Sequence, residues 1–215
     1  VDMTLEAMSA HGVDVDIDEH GEAFYIMPQS FTPHSGALES DWSHAALWLT
    51  AQQLGSSVEI LGLNAGSSQG DRIICEYLYL LQSDGEVEID VSQCPDIVPP
   101  LALAASLRRG RCTIKNAARL RLKECDRLDA VCSVLSSLGA DISQSADGLR
   151  ISGAARLRGG VRVDPRNDHR IAMMAAVAGT VCEEPIIISN ADCVSKSYPD
   201  FWLRFKELGG AISAV

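Results

Sequence analysis

A pattern that occurs three times constrains this chain more than any other feature. An aspartate stands immediately ahead of a run of small apolar residues at Asp41 (WSHAALWLTAQQL), Asp96 (IVPPLALAASL) and Asp168 (HRIAMMAAVAGTV). Fourteen residues after each aspartate comes Gly55, Gly110 or Cys182, followed by a β-rich run: SVEILGL, CTIKNA or PIIIS. A second aspartate, Asp71, Asp126 or Asp200, lies 30, 30 or 32 residues after the first and heads a second amphipathic helix. Repetition of this kind implies one supersecondary unit used three times, each copy burying its neighbours' apolar faces. Leu128, Val131, Cys132, Leu135 and Leu138 line one face of the middle copy's second helix, and Phe201, Phe205 and Leu208 do so in the last. ADISQS, the turn pair Asp147-Gly148 and LRISG then read as a hairpin. The unit is therefore helix, strand, helix, strand, strand. The first copy is 55 residues long against 72 for the second, short by about one hairpin, and is expected to lack a strand.

The three first helices carry too much Ala, Leu, Val and Met to lie on a surface. They are expected inside a ring of sheets and second helices, giving an α/β fold of repeated units with buried helices. If the copies are arranged alike, the helix N-termini point one way, and their unpaired N–H groups and partial positive charge attract anions. Residues 1–30 stand apart, with an apolar helix around Leu5 to Met8, an acidic turn and a strand at Ala23 to Met27. FTPHSGALES, rich in Pro, Gly and Ser, reads as a crossover and places a domain boundary near residue 38.

The charge distribution narrows the class of ligand. Net charge is −11, yet residues 1–100 hold 17 of the 29 acidic groups and a single basic one, Arg72. Eight cations fall between Arg108 and Arg127, but a chain with a pI of 4.8 repels a polyanion over most of its surface, so a small anion in a local basic pocket fits better than nucleic acid. No apolar run approaches the roughly 18 residues of a membrane span and the N-terminus lacks a basic signal region, which favours the cytoplasm. Seven cysteines without CxxC spacing read as reduced thiols in or near the core.

Asp96 follows Pro95 at a helix start, where an N-cap is worth about 1 kcal/mol and needs no catalytic explanation. Capping and catalysis are not exclusive, since a cap position also places a carboxylate at the anion-binding end. In RLKECDR, Lys123 and Arg127 are four apart and are expected to share a helix face, an unfavourable pairing unless an anion sits between them. Glu124 beside them could move a proton; a solvated, charged helix start is the plainer alternative. Arg170 stands in the first turn of an apolar helix, the wrong end of the dipole for a cation, and so points to an anion partner. His169 alone reads as structural, and Lys196 draws notice only because it stands where Lys123 and Glu124 stand one copy earlier. Trp42, Trp48 and Trp202, at helical positions, read as core.

DVSQCPDIVPPLA, RLKECDRL, DHRIAM and VSKSYPDF, in this order and spacing, resemble the C-terminal half of the 3-phosphoshikimate 1-carboxyvinyltransferases, the EPSP synthases of the shikimate pathway. The resemblance implies an inside-out α/β domain of three βαβαββ units over residues 39–215 (41–95, 96–167 and 168–215), with 1–38 the tail of a first domain. It implies transfer of the enolpyruvyl group of phosphoenolpyruvate to the 5-hydroxyl of shikimate 3-phosphate, releasing phosphate, within aromatic amino-acid biosynthesis. Asp96 matches the base, Glu124 the proton donor to the methylene, Lys123 a shikimate 3-phosphate contact, and Arg127, Arg170 and Lys196 the cations holding phosphoenolpyruvate; His169 joins the substrate-binding set. No metal or organic cofactor is implied, and a full-length chain is expected to be monomeric. Arg119 stands where the family often has Asn, and most of the first domain, half of the cleft, is not present, so this chain alone is expected to be inactive. Two other readings are an enolpyruvyl transferase acting on UDP-N-acetylglucosamine and a non-catalytic anion-binding module.

Overall fold

The computed structural model describes residues 1–154 and 156–214. Among these residues seven α-helices and eight short strands form a mixed α/β order, in which the stretch from Val98 to Ser152 follows the predicted helix, strand, helix, strand, strand and the helix at Trp42–Gln53 passes to that at Ile74–Leu80 without a strand. They are α1 (Asp2–Ala10), β1 (Asp16–Ile17), β2 (Phe24–Tyr25), α2 (Trp42–Gln53), α3 (Ile74–Leu80), β3 (Val87–Asp90), α4 (Val98–Ser106), β4 (Arg111–Lys115), α5 (Arg127–Ser137), β5 (Asp141–Gln144), β6 (Leu149–Ser152), β7 (Arg162–Val163), α6 (His169–Gly179), β8 (Ile187–Ile188) and α7 (Phe201–Glu207). Four 3-10 turns, at Gly70–Ile73, Pro95–Ile97, Ala118–Leu122 and Ala191–Lys196, join them.

The three apolar helices form the centre. Every residue of α4 is buried, as are nine positions of α6 and seven of α2, and the three pack on one another. Because no face of α4 meets water, its sequence shows no amphipathic stripe. Pro99 and Pro100 fit within its first turn, where the missing N–H groups had no intrahelical partner to lose.

One four-stranded sheet, in the order β3-β4-β6-β5, covers this centre: β3 and β4 are parallel, and β6 runs antiparallel to both its neighbours. Its register places Val87 opposite Cys112, and Ile151 opposite both Cys112 and Ile142. Alternation turns these residues inward and leaves Glu88, Thr113 and Arg150 outside. The middle copy thus runs α4, β4, α5, β5, β6, with the Asp147-Gly148 turn inside the hairpin.

Some local expectations are corrected. Residues 57–63 form no strand: Ser40 N donates to Gly62 O, Ser40 Oγ to Leu61 O and Gln52 Nε2 to Val58 O, so these carbonyls are met by side chains and loop rather than by a ladder. Leu208 falls just past the end of α7 and is 51% exposed, whereas Phe201 and Phe205 are buried. Trp42 and Trp48 are buried and Trp202 packs against the core, as read from the sequence. Helix α1 buries none of its residues, and the exposed side chains of Phe24, Tyr25, Met27 and Phe31 follow it.

Arg108, only 7% exposed, clamps the turn that leads into β3. Its guanidinium donates to the carbonyls of Leu81 (3.2 Å), Ser83 (2.5 Å), Gly85 (2.8 Å) and Arg111 (2.6 Å). Gly110 lies against the same turn with φ +96°, and a Cβ there would come within 2.2 Å of Gly85 O. Replacing Arg108 by Met leaves these carbonyls short of donors and is expected to cost roughly 2–3 kcal/mol, read from the urea midpoint. A change under about 0.5 kcal/mol would show that water replaces the guanidinium without loss.

Candidate active site

The site is built around one arginine. Arg127 opens α5 and is 1% exposed, yet its guanidinium holds three carboxylates. Nε donates to Asp168 Oδ2 at 2.6 Å, Nη1 to Asp96 Oδ1 at 2.7 Å and Nη2 to Glu124 Oε2 at 2.5 Å. Lys123 Nζ lies 3.1 Å from Asp96 Oδ1, and Arg170 Nη2 lies 3.8 Å from Asp96 Oδ2. Residues from the approaches to α4, α5 and α6 therefore meet at one end of the buried helices.

Each approach is shaped by local chemistry. Asp168 caps α6 through Oδ1, which accepts from Arg170 N at 2.9 Å, while Oδ2 holds Arg127; the side chain is fully buried. Asp126 caps α5 by accepting from Asp129 N, and Asp41 caps α2 by accepting from Ser43 N and His44 N. Arg166 and Asn167, at φ +53° and +59°, turn the chain sharply into Asp168. Lys196 Nζ donates to Asn167 O at 2.6 Å and so lies beside that turn.

Asp96 departs from the capping expectation. It sits inside the 3-10 turn Pro95–Ile97, Ile97 occupies the N-cap position of α4, and neither makes a side-chain cap bond. The extra turn moves the α-helix start one residue on, from Ile97 to Val98, and the carboxylate lies towards Arg127, Lys123 and Arg170. Lys123 and Arg127 do not share a helix face either, because Lys123 is extended and α5 begins only at Arg127. The anion expected between these cations is present as Asp96 itself.

Electrostatics follow from this packing. Burial pushes the Asp96 carboxyl up, but Arg170, Lys123 and Arg127 outweigh it and hold the group below the usual aspartate value, so it is ionised. Burial, then Arg170, pulls the His169 imidazole below its ordinary value; Nδ1 is buried without a hydrogen bond and lies 3.7 Å from Glu124 Oε1. Burial and the Asp168 carboxylate push the Cys125 thiol up to about 12, which leaves it a weak nucleophile. Burial also raises Asp71, and the nearby Asp96 and Asp41 add to the shift despite its hydrogen bond from Ser43 Oγ.

The repeat pattern marked Asp41, Asp71 and Asp168 as helix starts but did not show that Asp168 grips Arg127, or that Asp71 reaches Ser43 on α2. A concavity of about 880 Å³, lined in part by Glu6, His11, Glu39, Asp41, Ser43 and Asp71, reaches this flank of the cluster rather than Arg127. Among the described residues no group of three or more His, Cys, Asp or Glu is placed to hold a metal ion, and no helix is long and apolar enough to cross a membrane. All seven cysteines are free, and only Cys75 is exposed.

The model of a protein family described as EPSP synthase (3-phosphoshikimate 1-carboxyvinyltransferase) matches residues 1–205. A 3-phosphoshikimate 1-carboxyvinyltransferase of Clostridium botulinum (strain Eklund 17B / Type B) is 45% identical over 226 residues, covering 98% of this chain and 52% of its own length. Its counterpart in Clostridium perfringens (strain ATCC 13124) is 42% identical, covering 99% and 54% respectively. The chain thus spans about half the length of the curated relatives it matches. Among solved structures, EPSP synthase from Acinetobacter baumannii superposes with a TM-score of 0.83 at 24% identity, over 99% of this chain and 55% of that one. The enolpyruvyl transferase NikO from Streptomyces tendae superposes with a TM-score of 0.70 at 16% identity, over 99% and 53%. At these identities the structural matches establish the fold, an α/β architecture of the enolpyruvyl transferase type.

Proposed function

The chain belongs to the EPSP synthase family, and from that membership we propose that it forms one wall of an enzyme moving the enolpyruvyl group of phosphoenolpyruvate to the 5-hydroxyl of shikimate 3-phosphate. In this reading residues 39–215 are the second domain, in three copies (41–95, 96–167 and 168–215), and residues 1–38 are the end of the first. The exposed apolar side chains of the N-terminal segment support that division, since a helix that buries nothing lacks its core here.

The observation that carries the proposal is the Arg127 cluster, where Asp96 and Glu124 are held on one guanidinium with Lys123 and Arg170 beside them. Asp96 takes the proton of the attacking hydroxyl and Glu124 gives a proton to the methylene carbon, so the new C–O bond forms as the double bond becomes a methyl group. The tetrahedral adduct then loses phosphate and a methyl proton, which restores the enolpyruvyl double bond. Arg170 and Lys196 face the carboxylate and phosphate of phosphoenolpyruvate, and Arg127, 1% exposed and held by three carboxylates, joins them when the ligand displaces one of these; Lys123 faces the phosphate of the acceptor, and His169 packs beside Glu124. A ligand anion that takes Lys123 and Arg170 away from Asp96 leaves only Arg127 holding its carboxyl down against burial, so binding makes Asp96 a better base.

A two-domain protein containing this half is expected to release phosphate from phosphoenolpyruvate only when shikimate 3-phosphate is present, as followed by phosphorus NMR. UDP-N-acetylglucosamine should not replace the acceptor; equal turnover with both would sink the proposed specificity. The 215-residue chain alone should show no turnover above background, because the opposite wall of the cleft supplies the remaining contacts. Turnover within about tenfold of the two-domain protein would show that wall to be dispensable.

A further inference from the structure

His44 joins elements far apart in sequence. It lies in the first turn of α2, with Nδ1 3.2 Å from Asp41 Oδ2 and Nε2 3.4 Å from Ser197 Oγ, a partner 153 residues away. Its ring stacks on Tyr198, with centroids 5.0 Å apart and planes tilted by 34°. Ser197 immediately follows the 3-10 turn Ala191–Lys196, whose other end is pinned by Trp202 Nε1 donating to Ala191 O at 2.9 Å. The turn that ends in Lys196 is therefore tied at one end within the third copy and at the other to the first.

We propose that His44 is a positioning residue for Lys196: oriented by Asp41, its imidazole holds Ser197 and Tyr198 and so fixes the segment that presents the Lys196 amine to the anion site. With Nδ1–H directed at the carboxylate, the Nε2 lone pair faces the Ser197 hydroxyl and accepts its proton in a hydrogen bond. Burial, with Arg170 across from α6, keeps the imidazole below its ordinary value against the pull of Asp41, so the neutral form this geometry needs prevails near pH 7. The inference rests on the assignment of Lys196 to anion binding made above.

Lys115, Lys123, Lys196 and Lys206 are the only lysines, so limited acetylation of the folded chain, read peptide by peptide, reports each amine separately. His44→Phe keeps a ring against Tyr198 but removes both nitrogen contacts. It should speed acetylation of Lys196 roughly three- to tenfold, the scale set by one hydrogen bond, and leave the other three amines unchanged. His44→Gln, which restores a polar group near Nε2, should return the rate to within about twofold of the original. Ser197→Ala breaks the same contact from the other side and serves if the Phe variant does not fold. Equal Lys196 rates in the original chain and Ser197→Ala would overturn the proposal. So would a rise shared by all four lysines, or failure of His44→Gln to restore the rate. Inorganic phosphate should protect Lys196 in the original chain; its failure to do so counts against the anion-site assignment and leaves the test of His44 as a positioning residue standing.

Discussion

Arg127→Met is expected to destabilise the folded chain by roughly 3–5 kcal/mol, because the change strips the fully buried Asp168 carboxylate of its guanidinium partner. The urea midpoint reads the loss directly. Arg127→Lys should fall between the two, since an ammonium cannot reach three carboxylates at the angles a planar fork provides. Lys123→Met, at a partly exposed position with one carboxylate partner, should cost under about 1 kcal/mol. The decisive variant is Arg127→Met combined with Asp168→Leu: with no stranded charge left, it should recover part of the loss even though two bridges are gone. If Arg127→Met alone moved stability by less than about 1 kcal/mol, the buried guanidinium would not be what organises the cluster.

In a two-domain protein, Asp96→Ala and Glu124→Gln should each lower kcat by on the order of 100-fold or more, the usual worth of a positioned acid or base. The two differ in what else they disturb. Asp96→Ala also releases Lys123 and Arg170 from their internal partner, so it should tighten binding of phosphoenolpyruvate while slowing turnover. Glu124→Gln leaves those cations as they were and should change kcat with little effect on KM. Steady-state kinetics separate these patterns, and near-normal kcat in both variants would remove the proposed proton-transfer roles.

The helical centre was legible because composition alone fixes it: α4 and α6 hold almost nothing that could face water. The caps at Asp41 and Asp168 were legible for the same local reason. Asp96 was placed as a third cap by analogy, and the analogy failed because Pro95–Ile97 makes one extra 3-10 turn, which a repeat spacing does not register. The helical pairing of Lys123 with Arg127 failed likewise, since Asp126 is the cap and everything before it is extended or turn. The bond from Arg127 to Asp168 spans 41 residues and that from His44 to Ser197 spans 153, so no local pattern carries either. Residues 57–63 show the limit of β propensity: they have the composition of a strand, but among the described residues they find no ladder.

Within the contacts of the Arg127 cluster, the three carboxylates Asp96, Glu124 and Asp168 stand against the three cations Arg127, Lys123 and Arg170, so its formal charges balance, with Lys196 lying apart beside Asn167 O. The field of a balanced cluster decays faster with distance than that of a net charge, and the chain around it carries −11. This wall therefore does not draw anions in from solution; it recognises them at contact, by letting them displace a carboxylate from its cations. Association of an anion with this half should be slow and should quicken as salt screens the chain's net negative charge, with discrimination expressed in how long a ligand stays.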